Sequence, residues 1–167
     1  MKKLIFLFIV LLTVPNIIAQ KADKKSRKEI KAEKKVLLKE KIQKIVDSKT
    51  FEFIPNTALP ARGRSISISQ FNLQLKNDTL TSYLPYYGRA YTADYGSTSS
   101  PLNFEGVIEN YEKTRGKKNY NVQFNVKNKS DNLVYRFQIF DNGSTSLNVQ
   151  SVNRQSISFN GYIEELK

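Results

Sequence analysis

The chain changes its apolar period once, and that change constrains its fold more than any other feature. Up to Lys49 the apolar residues follow a helical spacing; beyond it they alternate with polar ones. Phe51 and Phe53 flank Glu52, and Ile66 and Ile68 alternate with serines. Phe71, Leu73 and Leu75 alternate with Asn72 and Gln74. The same period runs through Tyr120, Val122, Phe124 and Val126, through Leu133, Tyr135, Phe137 and Ile139, through Leu147 and Val149, and through Ile157, Phe159 and Ile163. Period two places one set of side chains on each face of a strand, so each run predicts a half-buried strand. Asn77-Asp78, Asn128 to Asp131 and Asp141-Asn142-Gly143 separate consecutive runs at tight-turn length. Pro55 and Pro60 are expected to interrupt the first strand, and Gly106 to bend or bulge the strand over 103–112.

These signals predict about eight short antiparallel strands, an all-β barrel or sandwich. No helical pattern intervenes between them, so parallel crossover units are not expected. Short connections favour an up-and-down meander, and a meander of that size gains by closing because closure removes its unpaired edges. The expected fold is therefore a closed antiparallel barrel over 50–167. Its outward positions are Asn, Gln, Lys and Ser, which does not suit a lipid-facing barrel.

Residues 20–49 form the second expected segment, a basic amphipathic helix that plugs one barrel end or covers a side. No Gly or Pro occurs between Asn16 and Ile54, and Ala, Lys, Glu and Leu dominate. Ser26 and Glu29 have the spacing of a capping box. Ile30, Leu37, Leu38, Ile42, Ile45 and Val46 approximate one apolar stripe, strongest toward its end, so 36–48 is expected to dock and 20–29 to fray. From Lys21 to Lys49 twelve Lys or Arg face five Asp or Glu, so most of the chain's net charge of +12 is local to this element. Charge alone allows a nucleic-acid arm, but no aromatic residue interleaves with the lysines. A membrane-surface helix usually pairs a basic face with Trp or Phe, and this helix has neither. A solvated lysine-rich face is the plainest reading, with peripheral contact to anionic surfaces as its rival.

Residues 1–19 have the order of a removable export signal. Met1-Lys2-Lys3 precedes an eleven-residue apolar run from Leu4 to Val14, then Pro15-Asn16 and the small residue Ala19. As a helix that run covers about 16 Å, roughly half of the ~30 Å bilayer core, so a cleaved signal is favoured over an uncleaved anchor. The expected location is the periplasm or the exterior. The chain has no Cys, so a lipid-modified cysteine, disulfides and thiolate chemistry are excluded. It also has no His, so imidazole catalysis and His metal ligation are excluded. No cofactor is expected.

Five of the nine tyrosines, Tyr83, Tyr86, Tyr87, Tyr91 and Tyr95, fall within 83–96, around Pro85, Gly88 and Arg89. A flat ring with a hydroxyl suits a partly wet site, and a guanidinium can clamp a carboxylate or phosphate. Tyr86, Tyr87, Arg89, Tyr91 and Arg154 are therefore the candidate ligand-binding residues. The competing reading is a hydrogen-bonded loop that seals one barrel end, with Arg89 paired to Asp94 or Glu105. Asp94 and Glu105 are also the one carboxylate pair with aromatic neighbours that could act as a hydrolytic pair. The serine-rich turns offer hydroxyls without a base. The favoured function is non-enzymatic binding of a small or polymeric envelope ligand, and the alternative is a structural or protein-interaction module with a filled barrel.

The run Leu84-Pro85-Tyr86-Tyr87-Gly88-Arg89-Ala90-Tyr91, preceded by Phe71-Asn72-Leu73-Gln74-Leu75 and Asn77-Asp78, resembles the exported domain-of-unknown-function family 4251, common in Bacteroidota. Asn153-Arg154-Gln155-Ser156-Ile157 followed by Gly161 is similar to that family's closing motif. The resemblance covers about Phe51 to Ile163. It implies a secreted or periplasmic, lipocalin-like antiparallel fold and no assigned activity, so no catalytic residue is carried over.

Overall fold

The computed structural model describes residues 26–91, 100–129 and 131–166, and the expected export signal lies outside them. The chain divides into two units, Met1–Glu33 and Lys34–Lys167. One helix, α1 (Arg27–Asp47), crosses the boundary. Its start is the expected capping box: the Ser26 amide donates to Glu29 Oε2 at 2.9 Å, and the Lys28 amide to Ser26 Oγ at 3.3 Å. At its other end no glycine is available, and Lys49 itself takes the left-handed conformation (φ 52°) that turns the chain into the first strand.

Among the described residues nine strands follow: β1 (Thr50–Pro60), β2 (Ile66–Ser67), β3 (Asn72–Lys76), β4 (Thr79–Tyr83), β5 (Asn103–Arg115), β6 (Asn119–Asn128), β7 (Asp131–Phe140), β8 (Ser144–Ser151) and β9 (Ile157–Glu164). From β3 onward each strand pairs antiparallel with the next, and β9 returns to β1, which also pairs β3. This closes an eight-stranded up-and-down barrel, with β2 as a short extension paired to β1. The alternation set the faces correctly. Phe51, Phe53, Leu73, Leu75, Leu80, Phe124, Tyr135, Ile139, Leu147 and Phe159 are all wholly buried inside.

Three local expectations are corrected. Pro55 does not interrupt β1; a bulge between Pro55 and Thr57 absorbs the irregularity, and the strand stays paired to β9 on both sides of it. The bulge in β5 lies between Glu109 and Glu112, not at Gly106, and Asn110 supplies the left-handed residue (φ 54°). Gly106 instead makes room: a Cβ there would sit 2.8 Å from Val126 Cγ1. The helix docks over a shorter length than expected. Ile42, Ile45 and Val46 are buried, whereas Ile30, Val36, Leu37 and Leu38 remain exposed.

The barrel interior is packed with rings. Phe137 meets Phe51 and Phe53 edge-on at centroid distances of 5.7 and 5.8 Å, and Phe124 stacks on Tyr135 at 5.5 Å. Each such ring contributes roughly 1.5–3 kcal/mol through burial, and the edge-on geometry adds to that. The two barrel ends differ. At one end α1 closes the opening over the turn at Gly143, where a Cβ would meet Ile42 Cδ1 at 3.2 Å. Lys113 of β5 pairs there with Asp47 at 2.5 Å, and the Asn77 amide donates to Lys49 O at 3.0 Å. The strand order carries residues 84–91 after β4 and the 152–156 connection to the opposite end.

Candidate functional site

At that opposite end the segment following β4 is laced to the β8–β9 connection. Leu84 and Pro85 are buried, which seats the start of the segment on the barrel. Ser100 Oγ donates to Leu84 O at 2.6 Å. Ala90 and Arg154 form an isolated antiparallel bridge. Around it the Gln155 amide donates to Arg89 O at 3.0 Å and the Tyr91 amide to Asn153 O at 2.8 Å. A two-residue stretch of β-like pairing thus extends the barrel wall beyond the strands.

Tyr86 fastens this stretch from beneath. Its hydroxyl lies 2.9 Å from Gln155 O and 3.1 Å from Arg89 O, so one proton is shared between two carbonyls. The ring folds over Gly88, where a Cβ would fall 2.3 Å from the Tyr86 hydroxyl oxygen; only glycine allows this closure. Burial raises the Tyr86 pKa, with the Arg154 charge opposing the rise, and the phenol stays a neutral donor.

Arg154 points into the barrel end. Its Nη1 lies 2.8 Å from Asp131 Oδ2, and Ser151 Oγ donates to the same oxygen at 2.7 Å. Asp131 is 4% exposed, so the pair is a buried one, held by a hydroxyl and by short chain connections on both sides. Among the described residues Asp131 Oδ1 has no hydrogen-bond partner, and neither has the Tyr135 hydroxyl. Burial drives the Tyr135 pKa up; the Ser82 hydroxyl opposes this, although its contact falls outside hydrogen-bond geometry and its proton goes to Leu102 O at 2.6 Å.

The five candidate residues therefore divide. Four of them, Tyr86, Arg89, Tyr91 and Arg154, are brought with Ala90 into one bonded unit, within which Tyr86 and Arg154 direct their polar groups to the protein itself. Tyr87 and Tyr91 are 40% and 69% exposed, and Arg89 is exposed and held by its backbone. Asp94 and Tyr95 lie outside the described residues, so the Asp94–Glu105 pair remains an expectation. Glu105 is exposed on β5 opposite Thr81, and no ion pair joins it to Arg89 among the described residues.

The residue missed from sequence is Asp131, assigned there to a turn. Its signal was present: 131, 133, 135, 137 and 139 share one parity, so the inward face of β7 begins with a carboxylate. A carboxylate on a buried face needs a cation, and Arg154 is the cation facing it.

The comparisons agree with this architecture. A family model described as Domain of unknown function (DUF4251) matches residues 33–163. The crystal structure of a DUF4251 family protein from Bacteroides eggerthii is similar with a TM-score of 0.58, over 77% of this chain and 88% of that one, at 9% sequence identity. At that identity the likeness concerns the fold alone. No curated protein matches the chain.

Proposed function

The chain belongs to the DUF4251 family, whose description assigns no activity, and from its geometry we propose that it is a non-enzymatic binding module of the cell envelope. In this reading it is exported, and it presents Tyr87, Arg89 and Tyr91 to a polymeric ligand at the barrel's open-loop end. The observation that carries the reading is the division of labour in this segment. Tyr86 and the Ala90–Arg154 bridge fix the backbone, while the neighbouring rings and guanidinium stay exposed. Exposed rings on a fixed backbone lose little freedom on binding, which favours recognition of a flat repeating unit. Arg89 adds a planar donor for carboxylate or hydroxyl groups of that polymer.

The ring-filled interior supports surface recognition over an enclosed small ligand. The same filling favours the second reading, a structural module that contacts another protein through this end. Affinity electrophoresis through gels containing envelope polysaccharide separates the two. Retardation that is lost in Tyr87→Ala, Arg89→Ala and Tyr91→Ala at unchanged melting temperature supports polymer binding. Unretarded migration of the wild-type protein rejects it and leaves the protein-contact reading.

A further inference from the structure

At the helix end of the barrel lies a groove of about 580 Å³ that the sequence pattern did not disclose. Its apolar lining is Val36 and Leu38 of α1 with Phe140 from the last position of β7, 54%, 40% and 38% exposed respectively. Four lysines stand around it: Lys35 and Lys39, one helical turn apart on α1, and Lys117 and Lys118 in the β5–β6 turn. All four are exposed, and none forms an ion pair among the described residues. Asp141 alone among the lining residues is acidic, and Arg115 offsets it at 2.7 Å.

We propose that this groove is a docking surface for an anionic lipid bilayer. Two physical requirements define such a surface: apolar side chains that enter the headgroup–acyl boundary, and cations beside them that meet lipid phosphates. The helix supplies the second and, through Val36 and Leu38, part of the first, but its sequence has no aromatic residue. The fold adds one by placing Phe140 in the same groove lining as Val36 and Leu38. Charge complementarity selects the occupant: four lysines without an ion pair among the described residues, around an apolar floor, match an anionic headgroup above acyl chains better than an uncharged surface. Docked this way, the barrel would stand with its tyrosine-bearing end directed away from the membrane, where a polymer is accessible. The proposal is independent of that second site.

The test is co-sedimentation of the protein, recovered from an exporting host and with its amino terminus sequenced, with two vesicle types. One contains phosphatidylcholine alone, the other phosphatidylcholine with phosphatidylglycerol. Binding is expected to the anionic vesicles over the neutral ones, and to weaken with salt. Each lysine near such a surface is worth roughly fivefold, so Lys35→Gln, Lys39→Gln, Lys117→Gln and Lys118→Gln together should reduce anionic-vesicle affinity by about a hundredfold or more. Val36→Ser with Leu38→Ser, both exposed on α1, should reduce it severalfold at unchanged charge and melting temperature. Equal binding to both vesicle types, or no loss in the lysine variant, overturns the proposal. Loss with the lysines but none with the apolar pair overturns the groove as the docking site. Binding to a soluble anionic polysaccharide without vesicle binding assigns the lysines to a polymer and equally rejects it.

Discussion

Arg154, in the connection between β8 and β9, reaches Asp131 at the first position of β7 with Nη1 2.8 Å from Oδ2, and this pair ties the tyrosine-bearing segment to the barrel. Arg154 is also the bridge partner of Ala90, so the residue that pairs with the loop through its backbone anchors it through its side chain. Loop geometry and barrel core are thereby coupled through one residue.

Removing one member of the pair leaves the other buried and uncompensated. Asp131→Asn and Arg154→Gln are each expected to cost about 3 kcal/mol, measured by denaturant unfolding. The double variant should cost clearly less than the sum of the two. Strict additivity would mean that the ion pair contributes nothing beyond its separate side chains.

Tyr86→Phe removes the shared hydroxyl bonds to Arg89 and Gln155 while keeping the ring over Gly88. Global stability should fall by only about 1 kcal/mol. The larger effect is local: amide exchange at Tyr91 and Gln155, whose N–H groups make the cross-connection bonds, should quicken by about tenfold relative to barrel-strand amides. Unchanged exchange there would show that the backbone bridge holds without the phenol.

Gly161 lies opposite Pro55 at the β1–β9 seam, where a Cβ would fall 2.1 Å from Ile54 O and 2.8 Å from Pro55 Cα. Backbone cannot yield as a side chain can. Gly161→Ala should cost roughly 2–4 kcal/mol, seen as a lowered melting temperature. Gly63→Ala meets no atom within 4 Å and carries only the strain of φ +114°, so it should cost less. Equal losses at the two positions would contradict the close approach at the seam.

Tyr111 stacks on Phe124, carries Lys49 Nζ over its ring at 4.5 Å, and buries a hydroxyl without a hydrogen-bond partner among the described residues. Burial first, and the Asp47 charge second, push its pKa up to about 12. The folded state therefore holds this proton more tightly than the unfolded chain, whose tyrosine ionises near 10. The associated stability is fully present below about pH 10 and is lost as pH rises toward about 12. Tyr111→Phe should flatten that alkaline loss in pH-dependent melting curves. At neutral pH it should leave stability unchanged or slightly higher, because the orphaned hydroxyl is gone. A steeper alkaline loss in the variant would contradict this assignment.

Much of the fold was legible because period two is a property of the backbone: each inward side chain from Phe51 to Ile163 is specified by its own parity and needs no knowledge of its neighbours. The turns at Asn77-Asp78 and Asp141-Asn142-Gly143 were legible for the same local reason, with Asn77 at φ 55° and Gly143 at φ 83°. What the sequence alone determined is thus the strand set, the closure it favours and the clustering of tyrosines in one connection.

Only the tertiary structure decided how those pieces are used. Whether Pro55 breaks a strand depends on whether a partner tolerates a bulge, and Gly161 across the seam does. Whether Tyr86 is a ligand contact or a fastener depends on a carbonyl 69 residues away. The pairing of Arg154 with Asp131, and the placing of Phe140 beside the lysines of α1, likewise join residues far apart in the chain. Side-chain bonding and surface composition are set by which distant segments meet. A one-dimensional pattern fixes the face a residue occupies, but its partner is fixed only when the barrel closes.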